Sequence, residues 1–188
     1  MPPKVKITRE AIVDTAVEIV RKEGAQAVNA RTLAAVLGCS TQPIFSNFAS
    51  MEQLRLAMVK RADAMCNQYI AREMEKGEYP NYKASGIAYI RFAKEEKELF
   101  KLLYMRDRTQ ETFPQPMEMN DQIESVVTQN TGLDGDAVKL FHLEMWAVVH
   151  GIASMTATGF VDLDWELISR MLTDIYQGLR KRYEEETL

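Results

Sequence analysis

The sequence predicts an all-α protein. An N-terminal three-helix domain of helix-turn-helix plan, residues 1–50, leads through a long connecting helix of about residues 51–75 into a larger helical domain that completes residues 51–188. Three observations predict this. Apolar residues recur at three- and four-residue intervals along almost the whole chain, which is the spacing of one helix face. The period-two alternation of a half-buried strand is nearly absent. Only nine glycines and six prolines interrupt the 188 residues, so long helices are permitted.

Taken in order, Thr8 is the expected N-cap of the first helix, with Glu10 in the first turn where the helix dipole favours an anion. Ile12, Ala16, Ile19 and Val20 form one apolar stripe, and Gly24 stops the helix just after Arg21 and Lys22. Asn29 caps a second helix with Leu33, Val36 and Leu37 inward, and Gly38 suits the left-handed position that ends it. Ser40 or Thr41 opens a third helix. Pro43 is tolerated in its first turn, where N–H groups lack an intrahelical partner. Ser50 answered by Gln53 is a capping box. It opens the long helix through Leu54, Met58, Ala62, Met65 and Tyr69, which fades near Lys76-Gly77. Beyond a loop at Gly77–Asn81, two helices broken near Lys94–Lys97 lead to a loop holding Pro114 and Pro116. A helix from about Met119 to Asn130 ends at Thr131-Gly132. Two longer ones follow, Ala137 to about Thr158 and Trp165 to about Glu185.

Net charge is −4, but it is unevenly placed: residues 1–61 hold nine Lys and Arg against five Asp and Glu, and the remainder fourteen against twenty-two. A basic front points to a polyanionic partner for that part alone. Cys39 and Cys66 lack CxxC spacing, which fits reduced thiols, with a single disulfide as the alternative. No apolar run approaches the ~20 residues of a membrane span, and MPPKVKITRE has no signal-like apolar stretch. The expected location is cytoplasmic. Glycine-rich phosphate loops, GxSxG, HExxH and paired-cysteine metal motifs are absent. The two histidines, His142 and His150, are too far apart for an i, i+4 metal pair. The chain is therefore expected not to be an enzyme and to use no cofactor or metal.

Three short helices with a glycine turn before the third follow the helix-turn-helix plan. Such a helix enters a DNA major groove only if its outward side chains are slender and its inward side is fixed. Ile44 and Phe48, at i and i+4, are the inward pair facing Leu33, Leu37 and Ile12. Thr41, Gln42, Phe45, Ser46 and Asn47 are left outward or sideways. Pattern alone leaves two readings: these groups meet base edges and phosphates, or they form the solvated face of a small bundle. Phe45 favours the first, because an aromatic there can pack on sugar or a thymine methyl.

On these residues the front resembles the DNA-binding domain of the TetR (tetracycline repressor-like) transcriptional regulators, over about residues 7–60. The matching run is ITREAIVDTAVEIVRKEG, then the Ala25–Leu37 segment, then GCSTQPIFSNFASMEQL. Where that family has leucine, tyrosine, any residue, histidine and phenylalanine, this chain has Ile44, Phe45, Ser46, Asn47 and Phe48. Phe45 lacks the tyrosine hydroxyl that reaches a phosphate, and Asn47 replaces the histidine. Met51 replaces a lysine, leaving the helix dipole and backbone N–H groups to support the phosphate contact. A weaker nonspecific electrostatic attraction to DNA follows. The resemblance implies a DNA-facing set of Arg31, Thr32, Ser40, Thr41, Gln42, Pro43, Phe45, Ser46 and Asn47. Lys4, Lys6 and Arg9 would add contacts from an N-terminal arm.

Residues 82–188 resemble the ligand-binding part of a subset of the same family. AYIRFAKEEKELFKLLYM stands for two of its helices, with Lys97 where proline is common, and EMWAVVHGIASMTATG for its Trp…His-Gly helix. The resemblance implies a ligand cavity, with Phe100, Tyr104, Met105, Phe113, Trp146, His150 and Met155 as candidate lining. Read from the residues, the helix over Phe141–Met155 is apolar nearly all round, so it must be covered on more than one side. Either it is central to one chain's core, or it joins the last helix in a four-helix dimer interface. The interface residues would be Phe141, Val148, Ile152, Trp165, Ile168, Leu172, Ile175 and Leu179, with Gly151, Ala153 and Ser154 among the small residues that permit close approach. The family implies a ligand-responsive transcriptional regulator, a repressor. It would bind a palindromic double-stranded operator as a homodimer and be released by a small hydrophobic or amphipathic effector. The alternative is a helical ligand-binding or protein-interaction dimer with reduced or lost DNA binding.

Overall fold

The computed structural model describes residues 7–107 and 121–186. Lys4, Lys6, Phe113, Pro114 and Pro116, all named above, lie outside them. The described residues form helices and no strands, as the sequence predicts: α1 (Arg9–Glu23), a 3-10 turn (Ala25–Ala27), α2 (Ala30–Val36), α3 (Gln42–Asn47), α4 (Met51–Glu75), α5 (Asn81–Glu95), α6 (Lys97–Tyr104), α7 (Asp121–Thr131), α8 (Gly135–Ala157) and α9 (Trp165–Glu186). No helix among them is long and apolar enough to cross a membrane. They make two compact units. One comprises Met1–Asn67 with Glu96–Arg106, the other Gln68–Glu95 with Asp107–Leu188.

In the first unit the caps work as the sequence indicates. Thr8 Oγ1 accepts from the Ala11 N–H, and Asn29 Oδ1 accepts from the N–H groups of Arg31 and Thr32. Gly38, at φ +63, closes α2 in a Schellman turn in which the Cys39 N–H reaches the Ala34 carbonyl at 2.9 Å. Ser50 Oγ accepts from the Gln53 N–H. The return bond lands one residue early, with the Ala49 N–H donating to Gln53 Oε1. Buried Ile12, Ala16, Leu33, Ile44, Phe48, Leu54 and Met58 form the core.

Val36 corrects the predicted inward face of α2: it is 62% exposed, while Leu33 is buried as expected and Ala34 is buried in place of Val36. At 100° per residue, Leu33, Ala34 and Leu37 fall on one side and Val36 falls beyond its edge. α6 belongs to this unit, adding Leu99, Phe100, Leu102 and Leu103 to its buried residues. The Arg21 guanidinium fixes α1 to the start of α6 by donating to both carboxylate oxygens of Glu96. Both cysteines are free thiols, so no disulfide joins them. Burial pushes the Cys66 thiol up to about 12, with a Tyr104 hydrogen bond acting the other way.

In the second unit α5 packs most extensively on α8. Gly86 permits the approach: a Cβ there would sit 3.3 Å from Val149 Cγ2. A second core cluster gathers Val127, Val138, Phe141, Met145 and Tyr183 from α7, α8 and α9. The last turns of α4 are held by charge. Glu73 is only 3% exposed. Its Oε2 lies 2.7 Å from Lys76 Nζ and 3.3 Å from Arg91 Nε, and the Arg91 guanidinium covers the Trp165 ring at 4.6 Å.

Candidate nucleic-acid interface

The predicted DNA-facing residues gather on one short helix and its approaches. Ile44 and Phe48 are buried, as are Leu33 and Ile12, so α3 is pinned from beneath. Above this anchor Gln42 and Ser46 are exposed, Phe45 is 51% exposed, and Thr41, Pro43 and Asn47 are half-buried. Arg31 and Ser40 are exposed, and Thr32 is half-buried beside the Asn29 cap.

Two of the polar groups are less free than the sequence implies. Ser46 Oγ donates to the Gln42 carbonyl at 2.9 Å, and Asn47 Nδ2 donates to the Pro43 carbonyl at 2.8 Å. Each turns back onto its own helix four residues earlier, a habit of short polar side chains inside helices. Asn47 keeps its side-chain Oδ1 and one Nδ2 hydrogen for a partner; Ser46 keeps only acceptor capacity. Gln42 and Arg31 have no such internal bond among the described contacts, so they have the freest reach.

Arg9 takes a role that sequence reading missed. Its Nη1 donates to the Asn47 carbonyl at 2.6 Å, and its guanidinium lies 3.9 Å from the Phe48 ring centroid. It ties the start of α1 to the end of α3.

The candidate ligand residues divide between the two units. Phe100, Tyr104 and Met105 lie with the helix-turn-helix. Phe100 is fully buried with its ring 4.9 Å from Tyr104, and Met105 is exposed. Trp146, His150 and Met155 lie on α8 in the other unit, and Phe113 lies outside the described residues. Trp146, 40% exposed, stacks on His150 at 4.8 Å and 15°. His150 Nδ1 shares a hydrogen bond with the Tyr89 hydroxyl at 3.0 Å, and two turns earlier His142 Nδ1 shares one with Tyr82 at 2.9 Å. Burial lowers the pKa of both histidines below the usual imidazole range and raises that of Tyr82. Among the described residues no group of three or more His, Cys, Asp or Glu could hold a metal ion.

The eight expected interface residues differ in how far their own chain covers them. Phe141, Ile152, Ile168 and Leu172 are buried within their own chain, so they have no surface left for a partner. Ile175 and Leu179 pack partly on the Phe141 cluster, and Trp165 carries Arg91. Val148 is half-buried. The free apolar surface of α8 and α9 is Leu140 at 43%, Trp146, and Leu167 at 41%. Helical periodicity separates two apolar sides of α8, and packing decides which is buried. Phe141, Met145, Val149 and Ile152 make one stripe, and Leu140, Leu143, Ala147 and Gly151 fall on the other side.

Comparison with known proteins agrees with this architecture. Residues 82–175, half of the chain, match the family model described as Tetracyclin repressor-like, C-terminal domain. The chain belongs to the tetracycline repressor-like family of transcriptional regulators, in which DNA binding and ligand binding are typical. Its fold is similar to that of a protein with unknown function from Rhodococcus sp. RHA1, at TM-score 0.71 and 20% identity, covering 96% of this chain and 98% of that one. It is also similar to a TetR-like transcriptional regulator from Rhodococcus sp. RHA1, at TM-score 0.64 and 15% identity, with 98% of each chain covered. At these identities the likeness is one of fold. No curated protein matches the sequence.

Proposed function

We propose that this regulator is a repressor that binds a palindromic operator as a homodimer and is released by a small hydrophobic or amphipathic effector. The observation that carries the DNA-binding part is α3 itself. Its apolar residues Ile44 and Phe48 are buried to the last few square ångströms, while Gln42, Phe45 and the nearby Arg31 stand free in one unit. A helix pinned on one side and slender on the other is what a major groove accepts.

The dimer reading rests on α8 and α9, where Leu140, Ala147 and Leu167 are exposed on their own chain and a Cβ added at half-buried Gly151 would meet open space. Two copies of α3, held by a twofold dimer, would read half-sites about one turn of DNA apart or a multiple of it. α4 contributes residues to both units, so it is the element through which an effector in the second unit would lower operator affinity. That coupling is reciprocal: an effector that weakens DNA binding is itself bound less tightly by the DNA complex.

Selection of duplexes from a random pool tests the reading. A palindrome with regular half-site spacing is the expected product. Against the selected duplex, Gln42→Ala should relax preference at one base position, and Arg31→Ala should weaken all duplexes alike and reduce the salt slope by about one. Identical behaviour from the two variants would remove the base-contact role of Gln42. The Ser46 and Asn47 back-bonds favour a second reading, a helical ligand-binding or protein-interaction dimer with reduced DNA binding. Absence of any selected duplex at low salt would favour it over the repressor.

A further inference from the structure

The geometry points to Arg9 as the positioning residue of α3, a role that rests on the DNA-binding reading above. α3 spans six residues, far below the length at which a helix is stable alone, so its orientation must come from contacts outside it. Ile44 and Phe48 fix its depth, but two apolar points leave rotation about the line between them. Arg9 supplies the third point, with its Nη1 bound to the Asn47 carbonyl at 2.6 Å and its guanidinium plane over Phe48.

Dipoles indicate which helix Arg9 serves. Arg9 is the first residue of α1, where a cation opposes the positive end of its own helix. At the carbonyl end of α3 the same cation is favoured, and the hydrogen bond it makes is charge-assisted. The planar fork matters as well as the charge, because lysine cannot lie flat on Phe48 while donating sideways to a carbonyl. Arg9 therefore sets the angle at which Gln42 and Phe45 are presented, and it is not itself a phosphate contact.

Arg9→Ala and Arg9→Lys separate the two roles. The probes are the duplex selected by the wild-type protein and a scrambled duplex of the same length, titrated over a salt series. For a positioning residue, both variants lose about tenfold in discrimination between the duplexes, the scale of one misplaced base contact, and keep the wild-type salt slope. If discrimination is preserved, the slope falls by about 0.9 in the alanine variant and lysine restores it, Arg9 is a phosphate contact and the proposal is overturned. A lowered melting temperature with unchanged discrimination also overturns it.

Hydrogen exchange on the free protein keeps the proposal testable if the wild type binds no duplex at all, a result that would sink the DNA-binding reading instead. The Phe48 N–H, bonded to the Ile44 carbonyl, should lose protection in both variants while α1 amides keep theirs. Unchanged Phe48 protection would show that Arg9 does not hold α3.

Discussion

Gly151 offers a sharp test of the proposed homodimer, because its substitution separates folding from association. It lies inside α8, and a Cβ added there meets no atom within 4 Å. Within the protomer, Gly151→Arg should therefore cost no packing and gain roughly 0.8 kcal/mol from helix propensity. In the proposed dimer the change brings a bulky cation from each protomer into a surface of small residues. Unpaired or like charges at an interface cost several kcal/mol; at about 3 kcal/mol the association constant falls roughly a hundredfold. Sedimentation equilibrium over a dilution series measures association, and thermal melts at the lowest concentration report the protomer. The expected pair of results is a weakened dimer and an undiminished monomer melt. A variant that self-associates like the wild type would place the dimer surface elsewhere. A large drop in the monomer melt would mean that Gly151 is packed by its own chain.

Two further perturbations address stability. Phe48→Ala removes the fully buried ring that anchors α3 and carries Arg9, so urea unfolding should show a loss of about 3–5 kcal/mol; less than about 1 kcal/mol would deny Phe48 its anchoring role. For pH, both histidines have folded pKa values lowered by burial from 6.5. The unfolded chain therefore binds protons first, and stability falls as pH drops from about 6.5 through the lowered folded values. His142→Asn with His150→Asn should flatten that dependence in denaturant titrations, and an unaltered slope would assign it to other groups.

What the sequence disclosed depended on whether a residue's fate is decided locally. Caps are local, so Thr8, Asn29, Gly38 and Ser50 could be read directly, and with them the helix starts. The break between α5 and α6 was visible at Lys94–Lys97, and it falls at Glu95–Lys97. Periodicity also found the Ile44 and Phe48 anchors, since a pair at i and i+4 must share a face. It did not settle α8, where apolar residues occur on every side. Only packing shows that Phe141 and Ile152 turn inward and that Leu140 turns out. Arg9 was hidden for a similar reason: its partners are 38 and 39 positions away, and an arginine near a chain end reads equally well as a free cation. Ser46 and Asn47 looked outward by spacing, yet their donors had a nearer acceptor in their own helix.

The contrast between the two thiols has a practical consequence. Buried Cys66, with its thiolate strongly disfavoured, will not react with maleimides while the fold is intact. Half-buried Cys39 stands in the turn just before α3. A single fluorophore can therefore be installed beside α3 of the unmodified sequence, giving an optical test of whether a duplex docks on that helix.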